Sequence, residues 1–217
     1  MISLRNNYQK LFRNLLKIEN IIPKSEARKL AIQRRAEYSE SEIRKKTELL
    51  LKNLTQTEDF IQAKTVYCYI AGRPEEINSR GLIDLMIGWG KSVVLPKLNK
   101  NTKTFRRFNF TGWQDIIKND EGFYEPKQGV NDDLSDIDLF LAPSVAVSKT
   151  GFRIGYGGGY YDKLLKLVHC PKFCPVFEFQ IFNSIETTEL DIRIDKIITE
   201  RRIINTRNNN GLLSFEK

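Results

Sequence analysis

The segment Gly151-Phe-Arg-Ile-Gly155-Tyr-Gly-Gly-Gly-Tyr160-Tyr-Asp162 constrains this chain more than any other, because it runs directly into Lys163-Leu-Leu-Lys-Leu-Val168, whose apolar spacing is helical. Glycine has no Cβ and tolerates positive φ, so backbone N–H groups in such a bend can crowd around an anion at a helix start. Phosphate is the obvious guest. Arg153 offers a cation for phosphate oxygens, and Asp162, in the first helical turn, offers a carboxylate able to hold magnesium. The segment matches neither the P-loop pattern ending in Gly-Lys-Ser/Thr nor Gly-x-Gly-x-x-Gly, since Tyr160 stands where the third glycine would be. On composition alone, a surface turn whose Asp162 complements the helix dipole fits as well as an anion cradle.

Around this segment, short apolar runs alternate with helical patterns. Strands are expected at 65–70, 92–95, 139–142, 175–179 and 194–199, with a helix over 79–89 between the first two and another from Tyr160 between the third and fourth. Alternation of this kind implies βαβ crossovers, hence an α/β fold of three layers, α/β/α, on a mainly parallel sheet. Residues 102–110 read as an antiparallel edge piece. Helices are also expected from Ser25 to Ala36 and from Ser41 to Asn53. Leu4, Leu11, Phe12, Leu15, Leu16 and Ile18 make residues 1–22 an amphipathic helical extension, residues 23–204 form one α/β domain, and residues 205–217 form a mobile tail.

A chain of 217 residues can bury a sizeable core, and 41% hydrophobic with 29% charged residues is ordinary for a soluble globular domain. No apolar run reaches the length of a membrane span, and the start lacks the apolar core of a secretion signal, so a cytoplasmic location and no membrane partner are expected. Three cysteines suit a reducing compartment. His169, Cys170 and Cys174 fall short of the four ligands of structural zinc, and His169 is the sole histidine, so Cys68 and its fellows read as structural residues. The net charge of +8 is spread among interleaved acids without a dense basic run, a pattern that favours small polyanions over nucleic acid.

Lys24 and Arg28 share one helix face at i, i+4 and can reach one phosphate, although an ordinary solvated face has the same spacing. Taken with Leu139-Phe-Leu-Ala-Pro-Ser-Val-Ala-Val-Ser148, Lys24-Ser-Glu-Ala-Arg28, Glu76-Ile-Asn-Ser79 and Glu189-Leu-Asp-Ile-Arg-Ile-Asp195, the glycine-rich segment resembles the signature of the 5-formyltetrahydrofolate cyclo-ligase (5,10-methenyltetrahydrofolate synthetase) family. The resemblance runs from about Lys24 to about Glu200. It implies a ligase of one-carbon metabolism that closes 5-formyltetrahydrofolate, with or without a polyglutamate tail, to 5,10-methenyltetrahydrofolate at the expense of ATP with magnesium. A monomer is expected.

Carried over residue by residue, the resemblance implies an ATP site of Lys24, Arg28, Arg153, Ile154, Gly155, Tyr156, Gly157, Gly158, Gly159, Tyr160 and Tyr161, with Arg153 and Tyr160 catalytic. It implies a folate site of Glu76, Tyr124, Glu125 and the shared loop from Tyr156 to Tyr160. Asp162 and Asp191 would hold Mg2+. Two departures from the family pattern stand out: Leu190 precedes Asp191 where many members have histidine, and Asn78 replaces an acid after Glu76. Asp195 reads as a supporting acid or a strand-end residue. Two rival classes fit the residues without the resemblance: a non-catalytic nucleotide- or RNA-binding protein, and a sugar-phosphate isomerase-like α/β enzyme binding phosphate at the same loop.

Overall fold

The structure, a computed structural model, describes residues 21–73, 76–99, 101–102, 104–119, 123–129 and 133–207. The chain enters through β1 (Ile21–Ile22), then α1 (Lys24–Arg35), α2 (Glu40–Thr55) and α3 (Glu58–Gln62) before β2 (Thr65–Tyr67), α4 (Ser79–Gly88), β3 (Ser92–Asn99) and β4 (Thr104–Asn109). A hairpin of β5 (Ile116–Lys118) and β6 (Tyr124–Pro126) follows, then β7 (Leu139–Leu141), β8 (Ala146–Ser148), β9 (Arg153–Ile154), α5 (Tyr160–Lys166) and β10 (Lys172–Pro175). Short strands β11 (Ile181–Phe182) and β12 (Ser184–Ile185) precede the closing pair β13 (Lys196–Ile198) and β14 (Ile203–Asn205).

Among the described residues, seven strands form the central sheet in the order β14-β13-β10-β7-β2-β3-β4. The inner five are parallel, and the two edge strands run antiparallel. Side chains alternate between its faces as the strand period of two requires. Val66, Cys68, Val93, Leu95, Leu139, Leu141, Phe173 and Ile198 face a core shared with Ile43, Leu50 and Leu54 of α2, Phe60 of α3 and Leu82, Ile83 and Met86 of α4. Tyr67, Val94, Phe140, Cys174 and Ile197 face the opposite core, covered by Leu164 and Leu165 of α5. Covering both faces explains why β7 is buried at every residue. Tyr67 and Phe140 stack across β2 and β7, ring centroids 4.4 Å apart.

A third cluster sits beside this sandwich. Ala27 and Ala31 of α1 pack against Ala146 of β8, Ile154 of β9 and Ile185 of β12, and small residues here let α1 approach the small β11-β8-β9 sheet closely. Gly151 makes the β8–β9 turn at φ 93°, with the backbone oxygen of Ile194 2.7 Å from where a Cβ would stand.

Three expectations need correction. Ile21 and Ile22 are extended and pair in parallel with Ser184 and Ile185, so no helix reaches residue 22; β-branching and the following Pro23 both disfavour helix there. The rest of the proposed extension, 1–20, lies outside the described residues. The strand expected at 175–179 lies earlier, over Lys172–Pro175, because Gln180 turns the chain: its Oε1 accepts from the Phe177 N–H at 2.9 Å and its backbone N–H donates to the Phe177 carbonyl. The 205–207 part of the tail is also built into the fold, since Asn205 ends β14, Thr206 is fully buried and Arg207 pairs with Asp195 at 2.6 Å. Residues 208–217 lie outside the described residues.

Cys174, in β10, is a core residue whose thiol burial pushes up to about 12, and burial does the same to Cys68. No helix among the described residues is long and apolar enough to cross a membrane.

Gly151→Ala combines a left-handed backbone with a Cβ 2.9 Å from Thr206, so it should cost about 1–3 kcal/mol of stability. Urea denaturation checks this; an unchanged midpoint would mean that the turn relaxes freely.

Candidate active site

Winding of the chain decides where a cavity forms. From β2 the α4 crossover leads to β3 on one side; from β7 the connection through α5 leads to β10 on the other. Strands β2 and β7 are neighbours, so their following loops part and leave a crevice at their carboxyl ends, the switch point where α/β sheets bind ligands. Tyr69 to Gly72 after β2 and Pro143 to Val145 after β7 form the floor of a cavity of about 780 Å³ at that point.

The two sides of the cavity differ in character. On the β3–β4 side, Leu95, Leu98, Phe105, Phe123 and Tyr124 provide an apolar and aromatic wall, with Phe105 packed on Tyr161 at 4.9 Å and on Tyr160 at 5.9 Å. On the other, α1 lays Lys24 and Arg28 along one face toward the cavity, while Arg35 at its far end turns to Glu76. One side is thus apolar and aromatic and the other cationic.

The glycine loop joins these sides. Gly157 and Gly159 have φ of 111° and 66°, where residues with side chains are strained, and a Cβ on Gly158 would stand 2.4 Å from the Tyr160 ring. Glycine is therefore favoured by conformation at 157 and 159, and a side chain at 158 would have to displace the Tyr160 ring. Arg28 Nε donates to the Gly155 carbonyl at 2.9 Å and ties the loop to α1. Gly159 then caps the start of α5, which carries Asp162 in its first turn.

Charges in the cavity are mutually paired. Lys24 Nζ lies 2.7 and 2.5 Å from the two carboxylate oxygens of Asp191, which also accepts from the Thr188 N–H at 2.6 Å. Burial alone would raise the pKa of Asp191, but the bonds from Lys24 and Thr188 outweigh it and hold the carboxyl below its ordinary range. Arg153, 5% exposed, donates to Asp162 at 3.0 Å and lies over the Tyr161 ring, while its Nε is buried without a partner among the described residues. Glu76 accepts from the Tyr156 hydroxyl at 2.7 Å, from Arg35 at 3.2 Å and from the Gly72 N–H at 2.9 Å. Burial first, then the nearby Glu76 charge, pushes the Tyr156 phenol upward. Glu125 pairs with Lys97 at 2.7 Å.

Every residue that the resemblance assigned to ATP, folate or magnesium lines this one cavity: Lys24, Arg28, Glu76, Tyr124, Glu125, the run from Arg153 to Asp162, and Asp191. Asp195 does not; its carboxylate accepts the Lys172 N–H at 2.8 Å and holds the strand end. Asn78 has a local task as the cap of α4, accepting from Gly81 N–H at 3.1 Å. The sequence reading passed over Arg35, Phe105, Lys163 and Gln180, which also line the cavity. For Arg35 a signal existed, since it continues the face begun by Lys24 and Arg28; for Phe105 only tertiary structure brings it there.

Hard carboxylate oxygens on Asp162 and Asp191 suit magnesium, which takes one or two carboxylates and completes its shell with phosphates and water. Among the described residues no cluster of three or more His, Cys, Asp or Glu that could hold a metal exists.

A switch-point cavity on a parallel α/β sheet, with a glycine cradle facing an aromatic wall, defines a small-molecule enzyme working on an anionic substrate and a heterocycle. The chain belongs to the 5-formyltetrahydrofolate cyclo-ligase family, whose model matches residues 20–200. It is similar to a probable 5-formyltetrahydrofolate cyclo-ligase of Caenorhabditis elegans, 27% identical over 195 residues that cover 83% of this chain and 94% of the relative. With the 5-formyltetrahydrofolate cyclo-ligase of Haemophilus influenzae it shares 31% identity over 143 residues, 63% of this chain and 76% of that one. Among solved structures, the Aquifex aeolicus 5,10-methenyltetrahydrofolate synthetase superposes with a TM-score of 0.75 at 30% identity, covering 87% of this chain and 95% of the other.

The Asp191 pairing has a pH signature. A carboxyl held low in the folded state stabilises above its unfolded pKa, about 3.9, and that contribution vanishes as pH falls through the lower folded value. The stability gap between the parent and Asp191→Asn, read by urea titration, should therefore be full at pH 6 and shrink below about pH 4. A gap that widens on acidification would show that Asp191 is not held ionised.

Proposed function

We propose that the cavity binds ATP and 5-formyltetrahydrofolate together and closes the folate to 5,10-methenyltetrahydrofolate, releasing ADP and phosphate. The observation that carries this reading is convergence: a helix face, a glycine loop and two separate acid-bearing segments, distant in sequence, meet at one switch-point cavity.

The N5-formyl oxygen is a poor leaving group, and the reaction begins by changing that. The formyl oxygen attacks the γ-phosphorus, an O–P bond forms and ADP departs. The formyl carbon is now electrophilic, N10 adds to it and loses its proton, and the C–O bond to phosphate breaks to leave the methenyl bridge. No protein nucleophile is required, which suits a chain with one histidine outside the cavity.

The protein's part is placement and charge compensation. Lys24 and Arg28 reach phosphate oxygens from α1, and the amides of Gly155 to Gly159 wrap the triphosphate. Arg153, buried and already oriented by Asp162, stabilises charge on the transferring phosphoryl group, with Tyr160 beside it. Glu76 accepts the paired N–H donors of the pterin, and Tyr124, Glu125 and Tyr156 line the same side. Asp162 and Asp191 would hold Mg2+, which when bound neutralises phosphate charge. Anion binding would draw Lys24 off Asp191, so the pair exchanges partners rather than leaving either charge bare.

Mixing the protein with ATP, magnesium and 5-formyltetrahydrofolate should raise the near-ultraviolet absorbance of the methenyl product. Asp162→Asn should lower turnover by about 10²-fold or more, and Lys24→Ala should act chiefly on ATP affinity. A flat trace from folded parent protein, with ATP bound normally, would leave only a binding role.

A further inference from the structure

Arg35 ends α1 with its side chain 5% exposed, on the helix stripe that begins with Lys24 and Arg28 and runs through the buried Ala31. Its neighbours on that stripe hold partners that an incoming phosphate can replace. Arg35 is committed elsewhere: Nη1 donates to Glu76 at 3.2 Å, and Nε is buried without a partner among the described residues.

Glu76 comes from the loop ahead of α4 with its side chain only 18% exposed, so an isolated carboxylate there would lose hydration without compensation. Three donors hold it. Arg35 and the Tyr156 hydroxyl share Oε1, and the Gly72 N–H takes Oε2. A carboxylate offers about four lone-pair sites, so one remains on Oε2. Tyr156, 50% exposed, makes the bond most readily surrendered on Oε1, whereas Arg35 is locked in by burial.

Resting on the reading of the site given above, we infer that Arg35 is a positioning residue for heterocycle recognition. It keeps Glu76 aimed into the cavity as a two-oxygen acceptor, so a ring edge bearing adjacent N–H donors is chosen over one bearing acceptors. Tyr156 fills the acceptor until that edge arrives and then yields. Arg35 itself touches neither phosphate nor heterocycle, and the nucleotide end of the cavity does not depend on it.

The test is a double-mutant cycle on Arg35→Gln and Glu76→Gln, with Arg35→Lys as a second variant should the glutamine form fold poorly. Equilibrium dissociation constants for 5-formyltetrahydrofolate and for ATP are measured separately by calorimetry, and melting temperature is followed alongside. Arg35→Gln should weaken folate binding about tenfold or more while ATP affinity stays within about twofold, as for loss of one partner of a desolvated charge pair. The double variant should bind folate no worse than Glu76→Gln alone. Arg35→Lys, a point charge without the planar fork, should fall between parent and Arg35→Gln. Equal weakening of both ligands, or additive losses in the cycle, would overturn the inference and make Arg35 a mere support for α1. Parent protein that binds folate without closing it would refute the proposed reaction yet leave the cycle readable; parent protein that does not bind folate would sink both.

Discussion

Parallel strands cannot be joined by tight turns, so each must leave its carboxyl end and return over a face of the sheet. In this chain the return from β2 goes one way and the return from β7 goes the other. That reversal parts the loops above two neighbouring strands, and everything of chemical interest sits in the gap. The stacked Tyr67 and Phe140 rings lie on those same two strands and brace one face beneath it. Helix α1 is held beside the opening by its alanines, which allow close approach to the small sheet. Position of the cationic face thus follows from packing, and the anion end of the cavity follows from that face.

Charge compensation is the second organising constraint. Lys24 with Asp191, Arg153 with Asp162, and Arg35 with Glu76 place three opposite-charge pairs in one cavity. Buried or half-buried charges left alone would be costly, and pairing them lets the fold carry them without ligand. The pairs are not equivalent. Lys24 is the most exposed of the three cations and the one best placed to change partners, while Arg153 and Arg35 are nearly sealed. Exposure thus sets Lys24 apart from the two sealed arginines.

Much of this was legible in the chain itself, for identifiable reasons. The central strands read clearly because their apolar runs alternate with helical spacing, and the edge piece read over residues 102–110 is β4, antiparallel to β3. The glycine loop was legible as a bend ahead of a helix from its three successive glycines, but only the wider family resemblance favoured a cradle over a surface turn. What stayed hidden depends on pairing at a distance. Ile21 and Ile22 become a strand only through Ser184 and Ile185, and Thr206 is buried only because Ile194 and Asp195 accept its hydroxyl. Phe105 was recognised as part of an edge strand, yet its contact with Tyr160 and Tyr161 needs the register of β4 on β3. Arg35 was overlooked because a cation at a helix end is ordinary until Glu76 is seen beside it.

The central claim is that the glycine loop presents the terminal phosphoryl group of ATP to the formyl oxygen within one cavity. Turnover of substrate carrying oxygen-18 in the formyl group tests this most directly, with mass spectrometry of the inorganic phosphate formed. The account predicts one labelled oxygen per phosphate released. Unlabelled phosphate, with the heavy oxygen recovered in water, would contradict it and separate ATP cleavage from ring closure.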